Sequence, residues 1–174
     1  MKSGKQKRLI LAALWLCIGA VLPLLCMQIK EIGDSLLPMH FAVMLCGFTC
    51  GAKYGLAVGI ILPFFRSLIF GMPPLYPNAV WMALELAAYG FITGFLYHRF
   101  KHKKIFGIYF SLISAMLIGR IVWGISKAVL LGFGASGFTF SAFITGGIVD
   151  ALPGIILQLI LIPLIMGIYN KKNG

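Results

Sequence analysis

Residues 9–27 read LILAALWLCIGAVLPLLCM, an apolar run without a charged side chain. A helix of this length crosses about 30 Å of hydrocarbon. No small-residue cleavage pattern precedes the polar segment 28–35, so the run predicts a first membrane span rather than a cleavable signal. The rest of the chain fits the same class, because 60% of its 174 residues are hydrophobic and only 11% are charged, against about 25% charged residues in soluble domains. The sequence therefore predicts one integral membrane domain over residues 1–174.

Further apolar stretches follow the first run at regular intervals. We predict an all-α membrane protein of six transmembrane helices, at 9–27, 37–52, 54–71, 78–98, 105–128 and 141–168. The connection between the second and third spans is so short that these helices must be antiparallel neighbours. Pro153 and Pro163 lie inside the last span and predict a kink there, or an outer end that lies at the interface.

Small residues recur at helical spacing in the second, third and fourth spans. Glycines four residues apart allow two helices to approach closely in lipid. We therefore expect tight helix contacts along these glycines: Gly47, Gly51, Gly55, Gly59, Gly90 and Gly94.

The distribution of basic residues predicts the orientation. The formal net charge of +11 does not indicate nucleic-acid binding, because the basic residues lie in short clusters between apolar runs. With both termini in the cytoplasm, eleven Lys and Arg residues lie inside, and Lys30 alone lies outside. The outer loops are then 28–36, 72–77 and about 129–140.

Five charged residues interrupt the predicted spans. A charge at membrane depth costs about 2.5–3.5 kcal/mol on insertion scales, so each needs a partner or a ligand. Counted along their spans, all five fall in the outer half of the bundle: Arg66, Glu85, Arg120, Lys127 and Asp150. One interpretation is a polar pocket open to the outside. The other is two structural ion pairs with Lys127 reaching the surface.

The charge balance of such a pocket predicts its ligand. Three cations and two carboxylates leave one positive charge, which favours a small anion such as a carboxylate held by an arginine. Uncharged polar groups at the same level are candidates to bind hydroxyls or amides: Asn78, Tyr89, Tyr76, Thr145 and Ser126.

The sequence contains no motif typical of an enzyme or a metal site. It lacks a nucleotide-binding GxxxxGK[ST] loop, HExxH and GxSxG. The four cysteines lie in apolar segments, as small buried hydrophobic residues do. His40, Cys46 and Cys50 share the second span, but we expect packing there rather than a metal. We predict no cofactor.

Four segments carry a resemblance to a known family. They are LPMHFAVMLCG at 37–47, CGAKYG at 50–55, PFFRSLIFGMP at 63–73 and ELAAYG at 85–90. With the chain length and six spans, they resemble the S components of energy-coupling factor (ECF) transporters, which capture vitamins at bacterial-type inner membranes. The resemblance implies a pocket facing outward, capped by the loops after spans 1 and 5. The ligand class then includes pantothenate as first candidate, with niacin and folate next.

The resemblance also implies partners. S components dock on a membrane T component that carries two cytoplasmic ATPases, so the chain itself is not expected to hydrolyse ATP. Docking in the family uses small residues of span 1 in an AxxxA arrangement. Here Ala12 and Ala13 supply the first position, Leu16 and Cys17 occupy the second, and Ala20 is a further small residue.

Two other functions remain open from the residues alone. A stand-alone secondary transporter would couple to ions through carboxylates such as Glu85 and Asp150, although no internal repeat is visible. A non-transport membrane scaffold would use the glycine faces for assembly and keep the charges as structural pairs.

Overall fold

The computed structural model describes residues 3–26, 37–100, 104–132 and 139–173, and these are almost entirely helical. The long helices are α1 (Ser3–Cys26), α2 (Pro38–Cys50), α3 (Ala52–Phe70), α4 (Val80–Arg99), α5 (Lys104–Leu131) and α7 (Leu152–Asn173). A π-helical turn, Leu75–Ala79, leads into α4. The short helix α6 (Phe140–Ile144) and a second π-helical turn, Thr145–Val149, precede α7.

The lengths of these helices match a membrane bundle. Five of the described helices, α1, α3, α4, α5 and α7, are long and apolar enough to cross a bilayer, and α2 is a shorter apolar helix. The predicted all-α architecture with about six membrane helices is thus confirmed. The loop after the first span (28–36) and most of the loop after the fifth (133–138), both expected to cap the pocket, lie outside the described residues.

Contacts between neighbouring helices show their directions. The α1–α2 pair is antiparallel, because Trp15 Nε1 donates to Thr49 Oγ1 at 3.0 Å near the end of α2, while Pro23, later in α1, lines the same cavity as Pro38 at the start of α2. At the same end as Thr49, a Cβ on Gly51 of the α2–α3 turn would lie 3.7 Å from His98 Cε1 of α4, and Tyr97 of α4 donates to Asn170 Oδ1 of α7 at 2.8 Å. The start of α1, the α2–α3 turn and the C-terminal ends of α4 and α7 therefore share one end, which the basic residues assign to the cytoplasm.

The predicted glycine contacts form a seam between α3 and α4. A methyl group on Gly55 would overlap the carbonyl group of Gly90, and one on Gly90 would overlap that of Gly55. A methyl group on Gly59 would lie 2.5 Å from the carbonyl oxygen of Leu86. The helix backbones touch directly along this seam, as small residues permit in lipid. At the sharp α2–α3 turn, Gly51 has a φ of 100°, a conformation that glycine adopts without steric cost.

The sixth span differs from the single helix predicted over 141–168. Two residues, Asp150 and Ala151, form a turn between the π-helical turn that ends at Val149 and the start of α7 at Leu152. Pro153 falls in the first turn of α7, where the N–H that proline lacks would have no partner within the helix. Because the sequence stays apolar across this break, hydropathy predicts a single span where the structure has α6 and α7 as separate helices.

We predict that Gly90→Ala destabilises the bundle, because its methyl group meets the backbone of α3. Overpacking of this kind costs about 1–3 kcal/mol. The measurement is the thermal unfolding midpoint of the purified protein in detergent. The matched control is Gly167→Ala on α7, where an added Cβ meets nothing within 4 Å. Equal midpoints for the two variants would contradict a backbone contact at Gly90.

Candidate ligand-binding site

A cavity of about 250 Å³ opens at the outer end of the bundle. Its wall is built by the end of α1, the start of α2, the end of α3, the segment 72–74 and the start of α4. Methionines, prolines and one leucine supply most of this wall, and three side chains supply its polar groups: His40, Arg66 and Asn78.

An unusual backbone conformation fixes the start of α2 at this cavity. Leu37 has φ 50° and ψ 50°, a left-handed conformation that costs a non-glycine residue about 1–3 kcal/mol. Its carbonyl oxygen accepts hydrogen bonds from the backbone N–H of His40 at 3.1 Å and of Phe41 at 3.4 Å. Gln158 Nε2, from the buried face of α7, donates to the same oxygen at 3.4 Å. Three donors on one carbonyl hold Leu37 in place, and so position Pro38, Met39 and His40 in the cavity wall.

Arg66 supplies the fixed charge of the cavity wall. It lies one turn before the end of α3 and is only 5% exposed. Its Nη1 lies 3.5 Å from Met39 Sδ, and its guanidinium carbon lies 6.0 Å from the centre of the Phe70 ring. Among the described lining residues, Arg66 alone has a permanently charged side chain.

Glu85 joins three helices beside the cavity. Its Oε1 lies 3.1 Å from Arg120 Nη1 of α5, which donates a hydrogen bond to it. The same oxygen lies 3.1 Å from His40 Nε2 of α2. The His40 contact has the distance of an ion pair but is poorly aligned for a hydrogen bond. Glu85 is 2% exposed, so this carboxylate is neutralised inside the bundle rather than by water.

Arg120 retains donors that no described residue uses. Its Nε and Nη2 are buried, and neither has a hydrogen-bond partner in the described part of the chain. A buried donor without a partner costs about 1–3 kcal/mol, and more where the group is charged. The site therefore has unmet capacity to bind an acceptor next to Glu85.

Aromatic rings surround the remaining polar groups. Tyr89 packs edge-on against His40, with ring centres 4.9 Å apart, and its hydroxyl donates to the Met116 carbonyl at 3.4 Å. Lys127 Nζ lies 4.9 Å from the ring centre of Trp81 and 4.6 Å from that of Trp123. Each indole forms a cation–π contact with the ammonium, which stabilises the positive charge of this partly buried lysine.

Comparison with known proteins gives one decisive match. Residues 7–166, which are 160 of the 174 residues, match the family model described as ECF transporter, substrate-specific component. The chain belongs to this family. No curated protein and no solved structure matches it significantly. The protein is therefore a multi-pass membrane subunit of an ECF transporter, in a family of transport subunits that bind a small-molecule substrate and work with T and ATPase components.

In this S component, the structure brings together most of the predicted site residues. Arg66 and Asn78 line the cavity. Glu85, Arg120 and Tyr89 lie around His40 on the cavity wall, and Lys127 follows beyond Trp123, whose ring centre lies 5.9 Å from the Arg120 guanidinium.

Asp150 does not join this group. It lies on the turn before α7 rather than within a span, its side chain is exposed, and the described residues give it no ion pair. The sequence predicted three cations and two carboxylates in this group. In the described structure, Arg66, Arg120 and Lys127 accompany a single carboxylate, that of Glu85. Of the uncharged candidates, Tyr76 is 67% exposed, Ser126 is buried, and the exposed Thr145 donates to the Ser141 carbonyl.

Sequence reasoning missed three members of this S component's site. In the sequence, His40 shares an apolar span with Cys46 and Cys50, which favours packing, but its position near the start of α2 brings it to the Glu85 carboxylate. A lysine inside a span predicts that its ammonium has partners within the bundle. That these partners are Trp81 and Trp123 depends on how the helices are rotated. Hydropathy does not report rotation, because these spans are apolar on all sides.

The four small residues predicted as a docking surface divide between two faces of α1. Ala12 and Ala20 are buried, at 5% and 2% exposure, in a cluster with Met39, Val43 and Leu62. Ala13 and Cys17 are exposed one turn apart on the outside of the bundle.

We predict that Glu85→Leu destabilises this S component strongly, because Arg120 would lose its only described carboxylate. Removing one partner of a buried pair costs about 3–5 kcal/mol, whereas apolar replacement of both is often close to neutral. The double variant Glu85→Leu/Arg120→Met should therefore be more stable than the Glu85→Leu single variant. Unfolding in detergent of the wild type, the two single variants Glu85→Leu and Arg120→Met, and the double variant completes a double-mutant cycle. Simple additivity of the two changes would show that the pair is not coupled.

Proposed function

We propose that this S component captures a small carboxylated vitamin from the outer side of the membrane, with pantothenate as first candidate and niacin and folate next. The observation that carries the proposal is the buried guanidinium of Arg66 in the wall of the outer cavity. Bound substrate would then pass inward after docking on the ATP-driven module of the transporter.

The electrostatics favour an anion. Arg66 offers a planar fork of donors that matches a carboxylate. The cavity lies at the N-terminal end of α2, where the helix dipole adds positive potential. Glu85 is already engaged by Arg120 and His40, so it opposes an incoming anion less than a free carboxylate would.

The size and lining of the cavity favour a small ligand with both apolar and polar parts. About 250 Å³ lies just below the usual range of roughly 300–1,000 Å³ for ligand pockets. Methionine and proline side chains suit a branched hydrocarbon body, and the Asn78 amide suits a hydroxyl or amide group. Pantothenate combines one carboxylate with these groups. Niacin has the carboxylate alone, and folate is a much larger dicarboxylate.

Docking on the T component is proposed at the exposed small residues of α1. Ala13 and Cys17 present a shallow surface outside the bundle, where a partner helix can approach closely. Two cytoplasmic ATPases would complete the transporter. The resemblance to the family supports the loops after spans 1 and 5, at 28–36 and about 129–140, as the lids of the pocket.

A stand-alone carrier and a scaffold explain the structure less well. A scaffold needs the Glu85–Arg120 pair but gives no reason for a buried arginine in a cavity wall. A carrier coupled to ions through Glu85 and Asp150 would need both carboxylates near the substrate, and Asp150 is exposed without an ion pair to any described residue.

We predict that Arg66→Ala weakens binding of the carboxylated vitamin about 10- to 100-fold, because a hydrogen bond to a charged group contributes about 1.5–3 kcal/mol. The ligand is first identified by thermal-shift measurements with pantothenate, niacin and folate, since a bound ligand raises the unfolding midpoint. Titration calorimetry then compares Arg66→Ala with Arg99→Ala, an exposed arginine at the end of α4. Unchanged affinity in Arg66→Ala would overturn the anionic site.

We predict that Ala13→Leu leaves vitamin affinity unchanged but reduces assembly with the T component, because the larger side chain holds the partner helix away. Co-purification of the complete transporter measures assembly. Ala57→Leu is the matched control, since Ala57 is an exposed alanine on α3. Normal assembly of Ala13→Leu would exclude this face of α1 as the docking surface.

A further inference from the structure

His40 has an unused polar atom beside the cavity. The side chain lines the cavity but is only 3% exposed. Both ring nitrogens are buried, and neither forms a hydrogen bond with a residue in the described part of the chain; Nε2 faces the Glu85 carboxylate, which leaves Nδ1 for a ligand. A buried polar atom of this kind normally has a partner, so its absence here is informative.

The neighbours of His40 determine what Nδ1 can do. Its Nε2 lies 3.1 Å from the Glu85 carboxylate, which accepts hydrogen bonds and does not donate them when ionised. Although this contact is poorly aligned for a hydrogen bond, an N–H on Nε2 faces the negative oxygen whereas a lone pair there would be repelled by it, so the carboxylate favours the proton on Nε2. In a neutral imidazole the other nitrogen then carries a lone pair, so Nδ1 is an acceptor. Arg120 also donates a hydrogen bond to Glu85, so the carboxylate has a charged partner besides His40.

We propose that His40 determines specificity by accepting a hydrogen bond, through Nδ1, from a hydroxyl or amide N–H of the bound ligand. Glu85 acts as a positioning residue, because it selects the tautomer without touching the ligand. This inference rests on the proposed function, since it assumes that Arg66 binds the carboxylate of the same ligand.

The pairing of Arg66 with His40 narrows the substrate class. Arg66 offers only donors and His40 Nδ1 only an acceptor, so the ligand must present a carboxylate and a donor to one cavity. Hydroxy- and amido-carboxylates such as pantothenate satisfy both groups. Niacin satisfies only Arg66 and would leave Nδ1 buried without a partner, which a polar site penalises strongly.

Two substitutions separate the two nitrogens of His40. His40→Asn places an amide near the position of Nδ1, and His40→Gln places it near Nε2. With pantothenate as probe, calorimetry should give His40→Asn an affinity within about threefold of wild type and His40→Gln a loss of about tenfold or more. A merely structural role, in which His40 only supports Glu85, gives the opposite ranking and overturns the proposal.

A ligand series provides the second test and needs no variant to fold. Three pantothenate analogues each lack one donor: the 2-deoxy, the 4-deoxy and the N-methylated amide compounds. One of them should bind wild type about tenfold more weakly than pantothenate, and the same loss should disappear in His40→Gln. Equal affinity of wild type for all three analogues and pantothenate overturns the role of His40.

The outcomes distinguish this inference from the proposed function. If pantothenate affinity depends on Arg66 but is the same in both His40 variants as in the wild type, only the proposed role of His40 is wrong. If niacin stabilises the protein and pantothenate does not, the donor requirement is overturned while the anionic site survives. If none of the carboxylates stabilises the wild-type protein, both proposals are overturned.

Discussion

The Glu85 carboxylate is the constraint on which the outer half of this molecule depends. It is almost fully buried and contacts His40 on α2 and Arg120 on α5 from its own position on α4. Inside a bilayer, a charge that loses its partner has no water to replace it, so the three helices are held to one relative rotation. That rotation turns His40 toward the cavity, and with it the neighbouring Met39, whose sulfur contacts Arg66. The ion pair is thus structural and also orients the ligand-binding groups.

The two halves of the bundle are built differently, and this difference makes room for a cavity. Toward the cytoplasmic end, Gly55, Gly59 and Gly90 bring α3 and α4 into backbone contact. Beyond Gly59 the repeat of small residues ends, and larger side chains such as Arg66 and Met82 take their place in the cavity wall. The backbone contacts therefore lie along the glycines, and bulky side chains replace the glycines where the cavity lies.

The sequence predicts the helices, the close glycine contacts and the depth of the charges because each depends on composition or simple spacing. Arg66, Glu85 and Arg120 lie where counting along the spans placed them. The error at Asp150 arose because residues 141–168 are apolar on both sides of a break, so hydropathy joined α6 and α7. Pro153 was the available signal, since proline favours the first turn of a helix over its interior. His40 and the two tryptophans around Lys127 depend on helix rotation, which only packing against neighbours determines.

The position of α1 connects the proposed docking surface to the cavity. Its inner face packs Ala12 and Ala20 against α2 and α3, and its outer end contributes Pro23 to the cavity wall. A T component bound at Ala13 and Cys17 would therefore contact a helix that also encloses the ligand. Because Pro23 of α1 lines the same cavity as Met39 and Arg66, the proposed docking surface and the candidate ligand site share one helix.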